Sequence, residues 1–298
     1  MENKMETLID ILSHSRAHGS DGEKIIIEKY ILPLTPTIVK DEQGEDMAYI
    51  IDVGDGDSQI LWSCHTDTVH YLKDNVHNSI IVEGDIIRAN GHSILGADDG
   101  AGMWLLLEMI KEGVEGTYIF HRGEECGGIG SSYLAKNYKE FLSKFTHAVA
   151  FDRKGTNSII THQFGRCCSN KFANQLSEYF LDNGLYMKPD SGGIFTDTAN
   201  YVGIIPECTN ISVGYEYAHT SRELLDVSFL FNLRNAMTKT KRHQWDVFNH
   251  EDEQTLDYPL ELYFSLYDMF AGMDYDSILF YITNYPEELA DLIEKWVA

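Results

Sequence analysis

The stretch QILWSCHTDTV, residues 59–69, decides how the chain is read. Its first six residues form a short apolar run of the kind a sheet-core strand shows, and His65-Thr66-Asp67 follows without a break. Upstream, the turn GDGD at 54–57 feeds this run, and residues 37–53 alternate in the manner of strands. Further back, amphipathic helices are expected over 7–15 and 22–32, the second ended by Pro33 and capped by Ser20 with Glu23 as its capping-box partner. Downstream, residues 79–88 read as a hairpin turning at Glu83-Gly84-Asp85. A helix over 101–111, the strand TYIFHR (117–122), a helix over 131–145 and the strand HAVAFD (147–152) come next. A helix over 170–184, the strand CTNISVGY (208–215) and a closing helix over 223–238 complete the series. Strands alternating with helices predict an α/β fold, a three-layer α/β/α domain with a mostly parallel central sheet.

Composition narrows the partners. With 47 acids against 23 bases in 298 residues, a net charge of -24, the chain repels phosphate backbones and anionic lipid. Small molecules, peptides or cations are expected instead, with no nucleic acid and no membrane. The 43% apolar and 12% aromatic content supplies a core, so the charge does not signal disorder. No apolar run approaches the ~18 residues of a membrane span, and MENKMETLID lacks the pattern of a signal peptide, so a cytoplasmic protein is expected. Five cysteines without C-x-x-C spacing argue for reduced thiols rather than a disulfide framework or a thiolate metal site. Composition shifts near His250: the last 48 residues hold 12 acids and one base, interleaved with apolar residues at helical spacing. A catalytic unit over 1–245 and a small acidic α-helical C-terminal appendix over 246–298 are therefore expected, the appendix as a docking or homo-oligomer module.

The chemistry is expected at the carboxyl ends of the core strands, where ligands gather in open α/β sheets. His65 and Asp67 follow the first core strand, Glu124 and Glu125 the second, Asp152 the third and His219 the fourth. Between the first two, the turn GADDGAG (96–102) places Asp98 and Asp99 before a helix. Taken singly, each piece has a plain structural alternative: a solvated turn, or an acidic helix N-cap. Together they bring two histidines and six carboxylates to one sheet edge, an unfavourable convergence without counter-charge. Divalent cations resolve it, and imidazole with carboxylate but no thiolate suits a pair of zinc ions, with cobalt or manganese as substitutes.

The strings CHTDTV, LGADDGAG, RGEECGGIGS, AFDRKG and, more loosely, YAHTS resemble, in order and wording, the co-catalytic zinc exopeptidases. These comprise the leucyl aminopeptidase-like and glutamate carboxypeptidase family and its sister family of peptidase T and the acetylornithine and succinyl-diaminopimelate deacylases. The strings run from Cys64 to Ser221, just over half the chain. The resemblance implies that His65 and Asp152 hold one metal and Glu125 and His219 the other. It makes Asp98 the bridge, with a cis peptide to Asp99, Asp67 the residue orienting His65, and Glu124 the general base. The deacylase and peptidase T branch carries a lid domain between the third carboxylate ligand and the last histidine, whereas here 67 residues separate Asp152 from His219. That interval implies a catalytic domain without an inserted lid. GADDGAG is nonetheless worded more like peptidase T, except that Gly100 stands where a lysine is usual.

The resulting expectation is a metal-dependent aminopeptidase acting on short peptides. An N-acyl-amino-acid deacylase or carboxypeptidase is the alternative within hydrolases, and a non-catalytic scaffold of the same fold the alternative outside them. A substrate carboxylate would call on Arg153, Lys154, Arg166 or Arg222, and a free amine on Asp197 or Glu216. Tyr215, Tyr217 or Arg153 could supply a further contact to the substrate oxygen.

Overall fold

The computed structural model describes residues 2–70, 77–91 and 93–248. The expected acidic appendix lies, from residue 249 onward, outside the described residues. Twelve strands are β1 (Thr37–Lys40), β2 (Asp46–Val53), β3 (Ile60–His65), β4 (Ile80–Glu83), β5 (Ile86–Ala89), β6 (Gly116–His121), β7 (His147–Arg153), β8 (Ser158–Ile160), β9 (Lys188–Asp190), β10 (Glu207–Ser212), β11 (Tyr215–Glu216) and β12 (Leu224–Asp226). The α-helices are α1 (Glu2–Leu12), α2 (Asp21–Ile26), α3 (Ala97–Lys111), α4 (Ile129–Asn137), α5 (Lys139–Leu142), α6 (Asn170–Asp182) and α7 (Val227–Met237).

Eight strands form the main sheet in the order β1-β2-β6-β3-β7-β10-β8-β9. Its central four, β6, β3, β7 and β10, run parallel. The reason lies in their sequences: β3, β6 and β10 are buried along their whole length, as strands covered on both faces must be. Alternate residues divide between the two faces. Trp62 and Cys64 of β3 join Val149 and Phe151 of β7 in a core shared with α1, α3, α6 and α7. Leu61 and Ala148 face the other way, onto Leu134 of α4 and Leu142 of α5. The expected three-layer α/β/α architecture is thus present. Between Asp152 and His219 the chain adds β8, β9 and β10 to this sheet, with α6 packed beside them, and β11 to a smaller sheet.

Several local expectations shift. The first helix spans Glu2–Leu12, earlier than 7–15. Ser20 caps α2 through Glu23 N–H, but Glu23 returns its carboxylate to Gly19 N–H rather than to that of Ser20. The chain then winds on past α2 to Leu34, and Thr35, at φ 54°, ends it. The helix expected over 131–145 breaks at Tyr138 into α4 and α5. Residues 224–226, expected as helix, form β12, which pairs with β11 and β5 in a four-stranded sheet completed by β4. Asp226 then caps α7 through Phe229 N–H. All five cysteines are free. Among the described residues no helix is long and apolar enough to cross a membrane.

Candidate metal centre

Because β3, β6, β7 and β10 run parallel, their carboxyl ends open on one edge, where six of the eight expected side chains meet: His65, Asp98, Glu124, Glu125, Asp152 and His219. His65, the last residue of β3, is 1% exposed. Its Nδ1 lies 3.0 Å from the backbone carbonyl of Asp67. A carbonyl only accepts, so Nδ1 carries a proton and Nε2 is the ring nitrogen turned to the site. That Nε2 is buried, has no hydrogen bond, and faces Asp98 Oδ1 at 3.3 Å, Asp152 Oδ1 at 3.6 Å and Glu124 Oε2 at 3.9 Å. On the other side His219 Nε2 stands 3.1 Å from Asp98 Oδ2 and 2.8 Å from Glu125 Oε1. Asp98 therefore lies between the two imidazoles, one oxygen toward each. Two ligand-like triads, His65 with Asp98 and Asp152, and Asp98 with Glu125 and His219, share that carboxylate, and a third joins His65 with Glu124 and Glu125.

The residues fit a pair of divalent cations electrostatically as well as geometrically. Burial and the negative charge of Asp98 push the Glu125 carboxyl up to about 7. Hydrogen bonds to Asp98 and Glu125 push His219 up to about 11. Burial opposes ionisation of Asp98, yet the adjacent imidazoles of His219 and His65 hold it well below the ordinary range. Imidazoles forced to stay cationic to balance surrounding acids mark a place where bound cations are favoured.

The supporting residues explain how the strand ends hold this shape. The Asp67 carboxylate lies beside the His65 ring, its Oδ1 3.6 Å from Nδ1. It accepts the backbone N–H groups of Gly123 and Glu124 on Oδ1, at 3.0 and 3.1 Å, and that of Glu125 on Oδ2 at 3.2 Å. Asp67 thus meets the His65 ring through its carbonyl and its carboxylate, and the same carboxylate fixes the loop that carries Glu124 and Glu125. Asp99, joined to Asp98 by a cis peptide, also leaves the cluster: its carboxylate accepts Gly102 N–H at 3.0 Å and His65 N–H at 3.3 Å. One of the six converging carboxylates is accordingly a helix cap. Asp152 is held by Thr196 Oγ1, which donates to its Oδ2 at 2.6 Å, and by the Tyr215 hydroxyl at 3.2 Å from its Oδ1. Tyr215 is thereby committed to Asp152 rather than to a substrate oxygen.

Three further residues had no marker in the sequence reading. Glu223 accepts Gly96 N–H at 2.8 Å and Asp98 N–H at 3.0 Å. Asn210 clasps the Asp152 backbone, accepting its N–H and donating to its carbonyl, both at 2.9 Å. Arg16, fully buried, donates to the carbonyls of Thr66 at 3.1 Å and Gly96 at 2.7 Å, bracing two of the converging loops. A Cβ on Gly100 would lie 2.8 Å from Arg16 Nη2, so the guanidinium fills the space beside the glycine.

Among the expected specificity residues, Arg153, Lys154, Glu216 and Tyr217 line a cavity of about 640 Å³ that contains the cluster. Asp197 is buried, 3.3 Å from His121 Nδ1, and does not line that cavity; nor do Arg166 and Arg222.

No family model matches the sequence, and no curated protein does. Solved structures do match. An aminopeptidase PepT from Bacillus cereus superposes with a TM-score of 0.62 at 15% identity, over 80% of this chain and 96% of that one. A tripeptidase from Staphylococcus aureus gives 0.59 at 16% identity, over 80% and 97%. A TET peptidase from Pyrococcus horikoshii, which can assemble into a tetrahedron or a large octahedral shell, gives 0.58 at 17% identity, over 81% and 100%. At these identities the likeness is one of fold, and the chain is an α/β/α domain folded like these aminopeptidases and peptidases.

Proposed function

We propose that the protein is a metal-dependent exopeptidase, an aminopeptidase acting on short peptides. The observation that carries this reading is the buried His65 Nε2, without a hydrogen bond, facing three carboxylates while Asp98 links it to His219 and Glu125. His65 and Asp152 would hold one divalent cation, Glu125 and His219 a second, and Asp98 both; zinc fits the donor set best, with cobalt or manganese as substitutes. When bound, such a pair supplies Lewis acidity toward a peptide carbonyl and lowers the pKa of water between the ions.

The chain's own part is proton transfer and positioning. Glu124 is absent from the two triads that share Asp98 and stands with His65 and Glu125 in the third; we assign its carboxylate to take the proton of the attacking water and return it to the leaving amine. Burial pushes this carboxyl well up, and Asp152 and Glu125 add to the effect. Positive charge in the centre pulls it back toward neutrality, where a group that both accepts and donates a proton works best. Asp67 fixes Glu124 through the loop backbone, so the base and the Glu125 carboxylate move as one unit. We assign this catalytic unit to residues 1–245 without an inserted lid, because the strands between Asp152 and His219 join the main sheet and the four-stranded sheet. The full set of ligand-like side chains, with Glu124 beside it, supports the same reading over that of a scaffold of this fold.

A panel of peptides with free, N-acetylated and C-amidated termini tests it. Chelator-sensitive release of the first residue from free but not acetylated peptides is expected. Cleavage of acetylated amino acids instead would transfer the site to the deacylase class.

A further inference from the structure

We propose that Arg153 and Lys154 form a carboxylate-binding subsite of this centre, so that its substrates are short peptides recognised by an anionic group. The inference takes the bond cleaved from the exopeptidase reading, but the binding it asserts does not depend on turnover.

Both residues follow Asp152 directly and line the same cavity as Asp98, Glu124, Glu125 and His219. Arg153 is fixed rather than waving in solvent, with a side chain 16% exposed. Its Nη2 donates to the Gly192 carbonyl at 2.9 Å and lies 3.7 Å from Asp190 Oδ2. Asp190 is pinned in turn, accepting from Ser158 Oγ at 2.7 Å and Gly192 N–H at 2.8 Å. The loop at 192–193 is closely packed: a Cβ on Gly193 would meet the His162 carbonyl oxygen at 2.1 Å, and one on Gly192 would lie 3.1 Å from Asp190 Oδ1. The guanidinium is therefore held in one orientation, yet its buried Nε–H has no acceptor.

A buried cationic donor left unsatisfied is costly, and a planar guanidinium is shaped to receive a carboxylate. Charge argues the same way. Asp98, Glu124, Glu125, Asp152 and Glu216 all line the cavity and would repel an anionic ligand, so two cations placed among them permit one to enter. The ligand carboxylate has two sources in a short peptide: a free C-terminus within reach of the scissile bond, or an acidic N-terminal side chain.

Two substrate pairs separate these sources. Tri-alanine against its C-terminal amide tests the C-terminus, and Glu-Ala amide against Gln-Ala amide tests the side chain. For the wild type the acid is expected to exceed its neutral partner in kcat/KM by about tenfold or more in one pair, the span of a charge-assisted hydrogen bond. Arg153→Gln should bring that ratio to within about threefold of unity, Arg153→Lys should keep an intermediate ratio, and the exposed Lys154→Gln should lower it less. Ratios near unity in both wild-type pairs, or a preference unchanged in Arg153→Gln, would overturn the subsite while leaving the exopeptidase reading intact. Calorimetric titration of the zinc-loaded protein with the same peptides reads the subsite without catalysis. If no peptide is cleaved, the exopeptidase reading fails alone. Acid-over-amide binding lost in Arg153→Gln then still supports the subsite, and equal affinities overturn it.

Discussion

Replacing Gly102 with alanine tests how tightly the centre is tied to its scaffold. A Cβ there would lie 2.0 Å from the Phe151 carbonyl oxygen and 2.4 and 2.6 Å from the two oxygens of Asp99. Carbon and oxygen meet without repulsion at about 3.3–3.6 Å, so α3 and β7 must separate by roughly 1 Å or more. Neither obstacle can swing aside: one is strand backbone, and the other is the carboxylate that caps α3 at Gly102 N–H. Gly102 lies in α3 without a positive φ, so alanine gains about 1 kcal/mol of helix propensity. Overpacking costs about 1–3 kcal/mol and more where backbone must move, so the net loss should reach about 2 kcal/mol. Because Phe151 precedes Asp152 and Asp99 follows Asp98, the same displacement pulls two candidate ligands apart. Urea unfolding in chelator should show the stability loss, and metal analysis should show reduced zinc retention. Gly100→Ala meets only the side-chain ends of Arg16 and Leu12, at 2.8 and 2.9 Å, and should lose less. A Gly102→Ala protein within about 0.5 kcal/mol of wild type and with full metal content would refute the reasoning.

Two other perturbations address the loop and the acid stability of the sheet. Asp67→Ala strands three backbone donors at 123–125, so peptidase turnover and metal retention should fall together; turnover lost with metal unchanged would contradict the shared anchoring. Burial lowers His147 to about 4. The unfolded chain therefore takes up its proton first, near 6.5, so this contribution is intact above that pH and is lost as pH falls toward about 4. In chelator, His147→Gln should flatten the fall in stability across that window by up to about 1.4 kcal/mol per pH unit, and an unchanged slope would count against a neutral buried ring.

The central strands were legible because burial on both faces demands continuous apolar runs, and QILWSC and HAVAF leave no other reading. Their carboxyl ends were legible for the same reason, since His65, Glu124, Glu125 and Asp152 follow those runs directly. The second sheet was not. Leu224–Asp226 looks helical beside α7, and only pairing with the distant hairpin strand β5 makes it a strand. Nor does spacing reveal that Glu223 reaches Gly96 and Asp98, or that Asp67 binds backbone at 123–125. Those contacts join residues dozens of positions apart, and isolated acids carry no local pattern. Gly100 was visible as a departure from the peptidase T wording, but the guanidinium of Arg16 that occupies the space had no signal of its own.

The central claim is a two-cation centre served by Glu124, and one measurement meets it directly: metal stoichiometry and peptide turnover of wild type and Glu124→Gln prepared side by side. The account predicts two divalent ions per chain in both proteins, with turnover lower by about 10²–10⁴-fold in the variant. Fewer than one ion per chain in the wild type, or turnover that survives both Glu124→Gln and chelation, would contradict it.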